Sequence, residues 1–197
     1  MGGNWHFDQI VMKQHLVEDT SEIDLRFQSW LSRPEMIGCS LEEYRLLFSI
    51  ARTRKPKLVL EIGPGHGAST LALFLGADSI KSLVQVRLHH LGTELVDEVF
   101  HPRITSHLET SREFFERCAG LFDLIFIDGD HSHEGASFDI ENACDHLVDD
   151  GVILIHDTNQ TDLSHIAVIT KSIAEKFRKG YTQLCENGKG LGMIHPL

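Results

Sequence analysis

The sequence lacks the features that would place it in a membrane or hold it together by covalent bridges. Within 197 residues, no apolar run approaches the roughly 20 residues that a membrane-spanning helix needs. The four cysteines are widely separated and include no Cys-x-x-Cys pair, which disfavours both a zinc knuckle and a disulfide framework. We therefore expect a soluble globular protein with no membrane partner and with buried free thiols.

Basic clusters and a secretion signal are lacking as well. The formal net charge is −11, and Lys and Arg are nowhere dense enough to attract a polyphosphate chain. The first residues, MGGNWHFDQIVMKQH, contain no basic stretch followed by an apolar core. We expect a cytoplasmic protein that acts on a small molecule and does not bind nucleic acid.

The chain contains no internal repeat, low-complexity tract or Pro-rich linker, so we expect one main domain at residues 41–197. Residues 1–40 are less regular, yet they carry more aromatic side chains than a disordered tail would: Trp5, Phe7, Phe27 and Trp30. We interpret this segment as a helical cap that packs on the main domain. Its aromatic residues could equally pack against a second subunit in a homodimer.

Beyond Ser40, helical and strand patterns alternate. Strands are predicted at Lys57–Ile62, Ser82–Val86, Arg103–Leu108, Phe122–Asp128 and Val152–Asp157. The first predicted helix runs from Leu41 to just before Pro56, with Ser40 and Glu43 in the spacing of a capping box at its start. Further helices are predicted at Ala68–Leu75, Leu91–Phe100, Arg112–Cys118, Ala136–Leu147 and Leu163–Lys179. This alternation predicts an α/β fold with five parallel strands. The Asn187-Gly188 pair then predicts a closing antiparallel hairpin, which is atypical of dinucleotide dehydrogenases.

A glycine-rich turn joins the first predicted strand to the following helix. Gly63, Gly65 and Gly67 let the backbone approach a ligand closely, and the start of the next helix offers unpaired amides. Glu61, at the end of the strand, can accept a hydrogen bond from such a ligand. The same pattern also occurs in tight strand-to-helix turns that bind nothing.

Three segments resemble the class I S-adenosylmethionine-dependent methyltransferases, and in particular the small-molecule O-methyltransferase-like group. They are EIGPGHG at Glu61–Gly67, FDLIFIDGDHSHEG at Phe122–Gly135 and LVDDGVILIHDT at Leu147–Thr158. The resemblance implies a Rossmann-like three-layer sandwich with a seven-stranded, mostly parallel sheet and an antiparallel terminal strand. It also implies S-adenosyl-L-methionine as cofactor.

The resemblance carries the cofactor contacts onto particular residues. The methionine end would lie over Glu61, Gly63, Gly65 and Gly67. The resemblance also implies an adenine-contacting acid after the third strand, where Glu109, Thr110 and Ser111 are the candidates, and a further cofactor contact at Asp128. The family usually ends its second strand with an acid that holds the ribose hydroxyls, but this chain has Arg87 there, which cannot accept a hydrogen bond.

Acids and histidines follow the fourth and fifth predicted strands. Since the carboxyl ends of parallel strands share one edge of the sheet, we expect Asp128, Asp130, His131, His133, His156 and Asp157 to cluster there. In metal-dependent relatives, two aspartates and an asparagine hold a divalent cation such as Mg²⁺. The resemblance places these ligands at Asp128, Asp157 and Thr158, and places catalysis at Asp128 and at His131 as general base. A histidine-rich turn can also be a plain surface loop or helix cap. Asp139 and Glu141, on the helix that follows, are expected to face solvent.

The predicted activity is methyl transfer from S-adenosylmethionine to a hydroxyl of a small-molecule acceptor. One alternative is a catalytically degenerate binding or regulatory protein with the same fold, which the residue at position 87 favours. A nucleotide or NAD(P)-binding protein is a further alternative, in which Arg87 would contact a 2′-phosphate only if the terminal hairpin were wrong.

Overall fold

The computed structural model describes Ser21, Asp24 and residues 38–89 and 102–197. The helices are α1 (Leu41–Arg54), α2 (Ala68–Gly76), α3 (Ser111–Phe115), α4 (His133–Asp145) and α5 (His165–Lys176), with a 3₁₀ turn at Thr161–Leu163. The strands are β1 (Leu58–Ile62), β2 (Ser82–Arg87), β3 (Ile104–Leu108), β4 (Phe122–Ile127), β5 (Leu147–His156), β6 (Gly180–Cys185) and β7 (Leu191–His195). The predicted helix at Leu91–Phe100 lies outside the described residues.

The seven strands form one sheet in the order β3-β2-β1-β4-β5-β7-β6. Strands β1 to β5 pair in parallel, and β7 runs antiparallel to both β5 and β6. The predicted fold class and the terminal hairpin are therefore confirmed. The order reverses beside β1, between β1 and β4, which is where open α/β sheets bind their ligands.

Helices cover both faces of the sheet, which makes three layers. Alternate strand residues enter opposite cores, so Val59 packs with α1 and α2 while Leu60 packs with α3, α4 and α5. The buried stretches of the central strands, residues 59–60 of β1, 124–127 of β4 and 152–155 of β5, are apolar because both of their faces are covered.

Local signals explain several element boundaries. Ser40 and Glu43 form the predicted capping box of α1, and the helix ends at Lys55 in a left-handed conformation just before Pro56.

The fifth strand differs from its prediction, because β5 begins at Leu147 and not at Val152. The residues between them pair irregularly with the start of β4, which polar Asp149 and Asp150 concealed in the sequence.

Asp24 joins the amino-terminal segment to the main domain. The Nε and Nη2 atoms of Arg45 on α1 each donate to an oxygen of Asp24 at 2.8 Å. The proposed role of residues 1–40 as a cap, on this domain or on a second subunit, stays a prediction.

Within the described ranges, the helices are too short or too polar to cross a lipid bilayer.

Candidate active site

The glycine loop between β1 and α2 adopts the conformation that its composition predicts. Gly63, Gly65 and Gly67 have φ angles of 78°, 51° and 87°, all in the left-handed region that glycine favours. A side chain at Gly63 would clash with the Asp128 carbonyl oxygen, whereas one at Gly65 would meet no protein atom within 4 Å. The loop therefore packs tightly on the end of β4 and leaves its tip open.

A cavity of about 650 Å³ opens beside this loop at the carboxyl edge of the sheet. Six of the predicted cofactor residues line it: Gly63, Gly65, Glu109, Thr110, Ser111 and Asp128. Gly67 does not line it; this residue caps α2 with its backbone. Apolar walls come from β1, β2 and α4, where Ile62, Val86 and Phe138 face the space.

Glu61 lies beneath the loop and does not line the cavity. Its side chain is fully buried, and its two oxygens accept hydrogen bonds from Ser69 Oγ and Thr70 Oγ1, each at 2.5 Å. Gln85 Nε2 donates a further hydrogen bond at 3.2 Å. Burial raises the pKa of this carboxyl despite these donors. Glu61 thus fixes the start of α2 through its hydrogen bonds with Ser69 and Thr70. Direct contact between Glu61 and a ligand stays a prediction.

Arg87 ends β2 at the cavity wall, as its position in the sequence implied. Its side chain is 8% exposed, so the end of the cavity that usually carries a ribose-binding acid is bordered by a largely buried guanidinium. No carboxylate of β2 takes its place, because this strand reads SLVQVR.

The turn after β3 is organised by a capping box. Thr110 Oγ1 accepts from the Glu113 amide at 3.1 Å, and Glu113 Oε2 accepts from the Thr110 amide at 2.9 Å. The Glu109 carboxylate is engaged by Arg117 and lies 3.4 Å from His107 Nδ1. Glu109 is therefore already paired with a cation of its own segment, Arg117.

Asp139 is a cavity residue that the sequence reasoning placed on the solvent face of α4. Its side chain is 1% exposed, and neither carboxylate oxygen has a hydrogen-bond partner among the described residues. Burial raises its pKa to about 6, with Asp130 adding to the effect while Ser111 and Arg112 oppose it. The spacing could have revealed this position, since Asp139 shares one helical face with Ala136, Ile140 and Ala143.

The acids and histidines predicted to share the sheet edge do meet there. Asp128, His131, His156 and Asp157 come together with Glu43 of α1, and we call these five residues the acid–histidine cluster. Asp130 and His133 also lie at this edge but outside the cluster: Asp130 accepts a hydrogen bond from the Ser132 amide, and His133 stacks on His165 with ring centroids 6.1 Å apart.

His156 is the buried centre of the cluster. Its Nδ1 lies 3.0 Å from Asp128 Oδ1 and 3.4 Å from Asp157 Oδ2. Its Nε2 faces Glu43 Oε2 at 3.5 Å. Burial alone would lower the pKa of this imidazole, but the surrounding carboxylates raise it far above the ordinary range. The surrounding carboxylates therefore favour the protonated, cationic form of His156.

His131 bridges the two aspartates on the open side of the cluster. Its Nε2 lies 2.8 Å from Asp157 Oδ2 and 3.3 Å from Asp128 Oδ1. Hydrogen bonding to Asp128 and then to Asp157 raises the pKa of His131 to about 9. The reverse effect holds the pKa of both aspartates below the usual value even though burial would raise it.

Glu43 ties the cluster to two distant parts of the chain, and the sequence identified it only as a helix-capping residue. Its Oε2 accepts from the Ser40 amide at 2.5 Å, and its Oε1 accepts from the Gly190 amide at 2.7 Å in the turn before β7. Cys39 adjoins the same pocket of charge, where burial raises the pKa of its thiol to about 11.

Asp157 holds a strained position at the end of β5. Its φ angle is 59°, which is uncommon for a residue other than glycine, and its side chain is 1% exposed. Thr158, the third predicted metal ligand, is already hydrogen-bonded: its Oγ1 accepts from Gln183 Nε2 at 2.7 Å.

The family model for the methyltransferase domain matches residues 60–158, which is half of the chain. These residues contain the glycine loop, the cavity and every member of the acid–histidine cluster except Glu43. Comparison with curated proteins gives no significant match.

Several solved structures have the same fold along almost the whole chain. The methyltransferase PaMTH1 of Podospora anserina, bound to S-adenosylhomocysteine (SAH), is 18% identical, with a TM-score of 0.68 and coverage of 100% of this chain and 98% of that chain. The O-methyltransferase of Bacillus cereus in complex with SAH is 19% identical, with a TM-score of 0.67 and coverage of 96% and 97%. Cofactor-bound Rv0187 from MTB is 20% identical, with a TM-score of 0.68 and coverage of 99% and 98%.

Proposed function

This chain belongs to the methyltransferase domain family, and from that membership we propose that it transfers the methyl group of S-adenosylmethionine to a hydroxyl of a small molecule. The cofactor part is supported by a glycine loop with an open tip beside a cavity large enough for a nucleoside and an amino acid. It is also supported by similar folds whose structures contain SAH. The hydroxyl acceptor is supported by the chemistry of the acid–histidine cluster.

The observation that carries the proposal is the position of Asp128. This residue lines the cavity and at the same time contacts His131 and His156, so the two parts of the site meet at one side chain. A donor seated over the glycine loop would therefore present its reactive end to the acceptor beside His131.

For methyl transfer, the protein mainly has to position the donor and the acceptor and to remove a proton from the acceptor. S-adenosylmethionine supplies an electrophilic methyl group on a sulfonium: the bond from carbon to sulfur breaks as the bond from carbon to the acceptor oxygen forms, and SAH leaves. The acceptor hydroxyl must lose its proton. His131, 42% exposed at the mouth of the cluster, is the residue placed to take it, once it has given its own proton to solvent.

The expected divalent cation remains a proposal, and its predicted ligands fit only in part. Asp128 and Asp157 offer adjacent carboxylates, the donors that Mg²⁺ prefers, but Thr158 is engaged by Gln183. A cation held by the two aspartates would lower the pKa of the acceptor hydroxyl. Mn²⁺ binding followed by electron paramagnetic resonance tests this without any assay of activity. Asp128→Ala combined with Asp157→Ala should abolish the binding, and binding that survives the double change would overturn the proposal.

A second candidate is a protein of the same fold that binds ligands without transferring methyl groups, and the largely buried Arg87 at the ribose end favours it. The NADP interpretation of Arg87 has lost its support, since a contact with a 2′-phosphate required the terminal hairpin to be wrong and β6 and β7 are antiparallel.

Calorimetric titration with S-adenosylmethionine, SAH, NAD and NADP tests the proposed cofactor. We expect micromolar binding of the two adenosyl ligands and none of the dinucleotides. Release of SAH in the presence of a panel of phenols and sugars then separates an enzyme from a binding protein. Absence of adenosyl binding at millimolar concentration would overturn the proposed function.

A further inference from the structure

We propose that Asp139 recognises the adenine base, accepting a hydrogen bond from its exocyclic amino group. This inference rests on the proposed cofactor and adds the residue that would select its base. It starts from a buried carboxylate in the cavity wall whose oxygens have no partner among the described residues.

An ionised carboxylate without a hydrogen-bond donor is costly to bury, so a buried one calls for a partner. The Ser111 hydroxyl lies beside Asp139 and partly offsets the effect of burial on its pKa, but it donates no hydrogen bond of normal geometry. A donor brought by a ligand would complete this site.

The other carboxylates of the cavity are already engaged. Glu109 pairs with Arg117, Asp128 pairs with two histidines, and Asp130 accepts from the Ser132 amide. Asp139 is therefore the acid of the cavity lining that remains for a ligand within the described part of the chain.

The surroundings of Asp139 favour the base over the other parts of an adenosyl ligand. Ser111 begins α3 directly after the β3 turn and lines the same cavity as Asp139 and the glycine loop. Phe138 and Arg112 also line the cavity, with the guanidinium 4.1 Å from the ring centroid, and each of these planar groups can stack on a base.

Gly129 lets the turn after β4 pack closely on this carboxylate. A Cβ atom at this position would lie 3.0 Å from Asp139 Oδ2 and 2.9 Å from Ile62 Cγ2. Because a side chain would not fit there, the backbone of Gly129 forms the side of the site next to Oδ2.

An amino group at position 6 of the purine donates a hydrogen bond, whereas the carbonyl oxygen of hypoxanthine at the same position only accepts one. The test is therefore calorimetric titration of the full chain with SAH and with S-inosylhomocysteine, its hypoxanthine analogue. The variants are Asp139→Asn and, as a matched control on the outer face of the same helix, Glu141→Gln. The control residue pairs with Lys176, and it is not among the residues that line the cavity.

We expect the wild-type protein and the control to bind SAH about tenfold or more tighter than the inosyl analogue. In Asp139→Asn the preference should fall to within about twofold or reverse, because the new amide can donate to the carbonyl oxygen. Circular dichroism and a melting curve establish that the variant is folded.

Three results would overturn the inference. A full preference for SAH in Asp139→Asn would mean that another group reads the base. An equal loss of both ligands would place the carboxylate near the ribose or give it a structural role. Failure of the wild-type protein to bind either ligand would instead remove the proposed cofactor itself, and the wild-type titration alone identifies that case.

Discussion

His131 Nε2 and Asp157 Oδ2 lie 2.8 Å apart, although the two residues follow different strands of the sheet. The contact joins a half-exposed imidazole to a buried carboxylate whose backbone is held at a positive φ angle. It therefore favours the protonated form of His131, the residue that we propose as the base for the acceptor hydroxyl.

The rate of methyl transfer should rise with pH. The two aspartates raise the pKa of His131 to about 9, so near neutral pH the imidazole holds a proton and cannot act as a base. We expect kcat/KM to increase about tenfold per pH unit below pH 9 and to level off above it. His131→Gln should lose most activity and this dependence together. A profile with its midpoint at the ordinary histidine value would contradict the role.

The same contact has a direct spectroscopic test. Nitrogen-resolved NMR of the imidazoles should show His131 titrating near pH 9, with His156 still protonated there. Since the folded pKa of His131 lies above its unfolded value, the pairing stabilises the fold fully below about pH 6.5 and is lost as the pH rises through 9.

Glu43→Gln should destabilise the fold by about 2–4 kcal/mol, because it leaves the buried His156 imidazolium without one of its counter-charges. Urea unfolding at pH 7 measures the change. Glu42→Gln is the matched control: this neighbour is exposed and accepts a hydrogen bond from Asn187 that glutamine can also accept, so its cost should stay within about 0.5 kcal/mol. Equal effects of the two changes would show that the buried charge pair contributes nothing.

Two glycine substitutions should separate folding from ligand binding. Gly63→Ala places a methyl group against the Asp128 carbonyl, so we expect low soluble yield or a clearly lowered melting temperature. Gly65→Ala meets no protein atom and carries only the cost of a left-handed alanine, about 1 kcal/mol. That variant should fold yet lose affinity for SAH, because its methyl group enters the space at the tip of the loop. Unchanged affinity would mean that the loop tip does not contact the cofactor.

Asp139 should make the unliganded protein less stable at neutral pH than in mild acid. Its folded pKa, about 6, lies above the ordinary value of 3.8, so the folded state gains stability as the pH falls through 6. Other carboxylates will mask this trend, and the comparison with Asp139→Asn isolates it. We expect the variant to be more stable than wild type by about 2 kcal/mol at pH 7.5 and the difference to vanish near pH 4. A constant difference across that range would mean that the carboxylate has a partner when folded.

Much of this architecture was predictable because periodicity and glycine placement are local signals. The buried strands, the loop at Gly63–Gly67 and the turn at Asn187-Gly188 each follow from a few adjacent residues. The meeting of Asp128, His131 and Asp157 followed from topology, since parallel strands end at one edge of the sheet.

The contributions of helices to the site were harder to predict. Glu43 was recognised by its spacing from Ser40, but nothing local indicates that its second oxygen reaches Gly190, 147 positions away. Asp139 interrupts an apolar helical face, where a charged residue is normally assigned to solvent. Lys189, 3.9 Å from Asp157 Oδ1, comes near the cluster only through the closing hairpin. Such contacts depend on how separate elements pack, which short sequence windows do not encode.

One carboxylate, that of Glu43, is shared by the start of the first helix of the domain, by the turn between the last two strands and by a buried histidine. A truncation or fusion that disturbs the turn before β7 would therefore also change the proton affinity of His156, which Glu43 contacts. Activity, more than solubility, is the property by which altered forms of this chain should be compared.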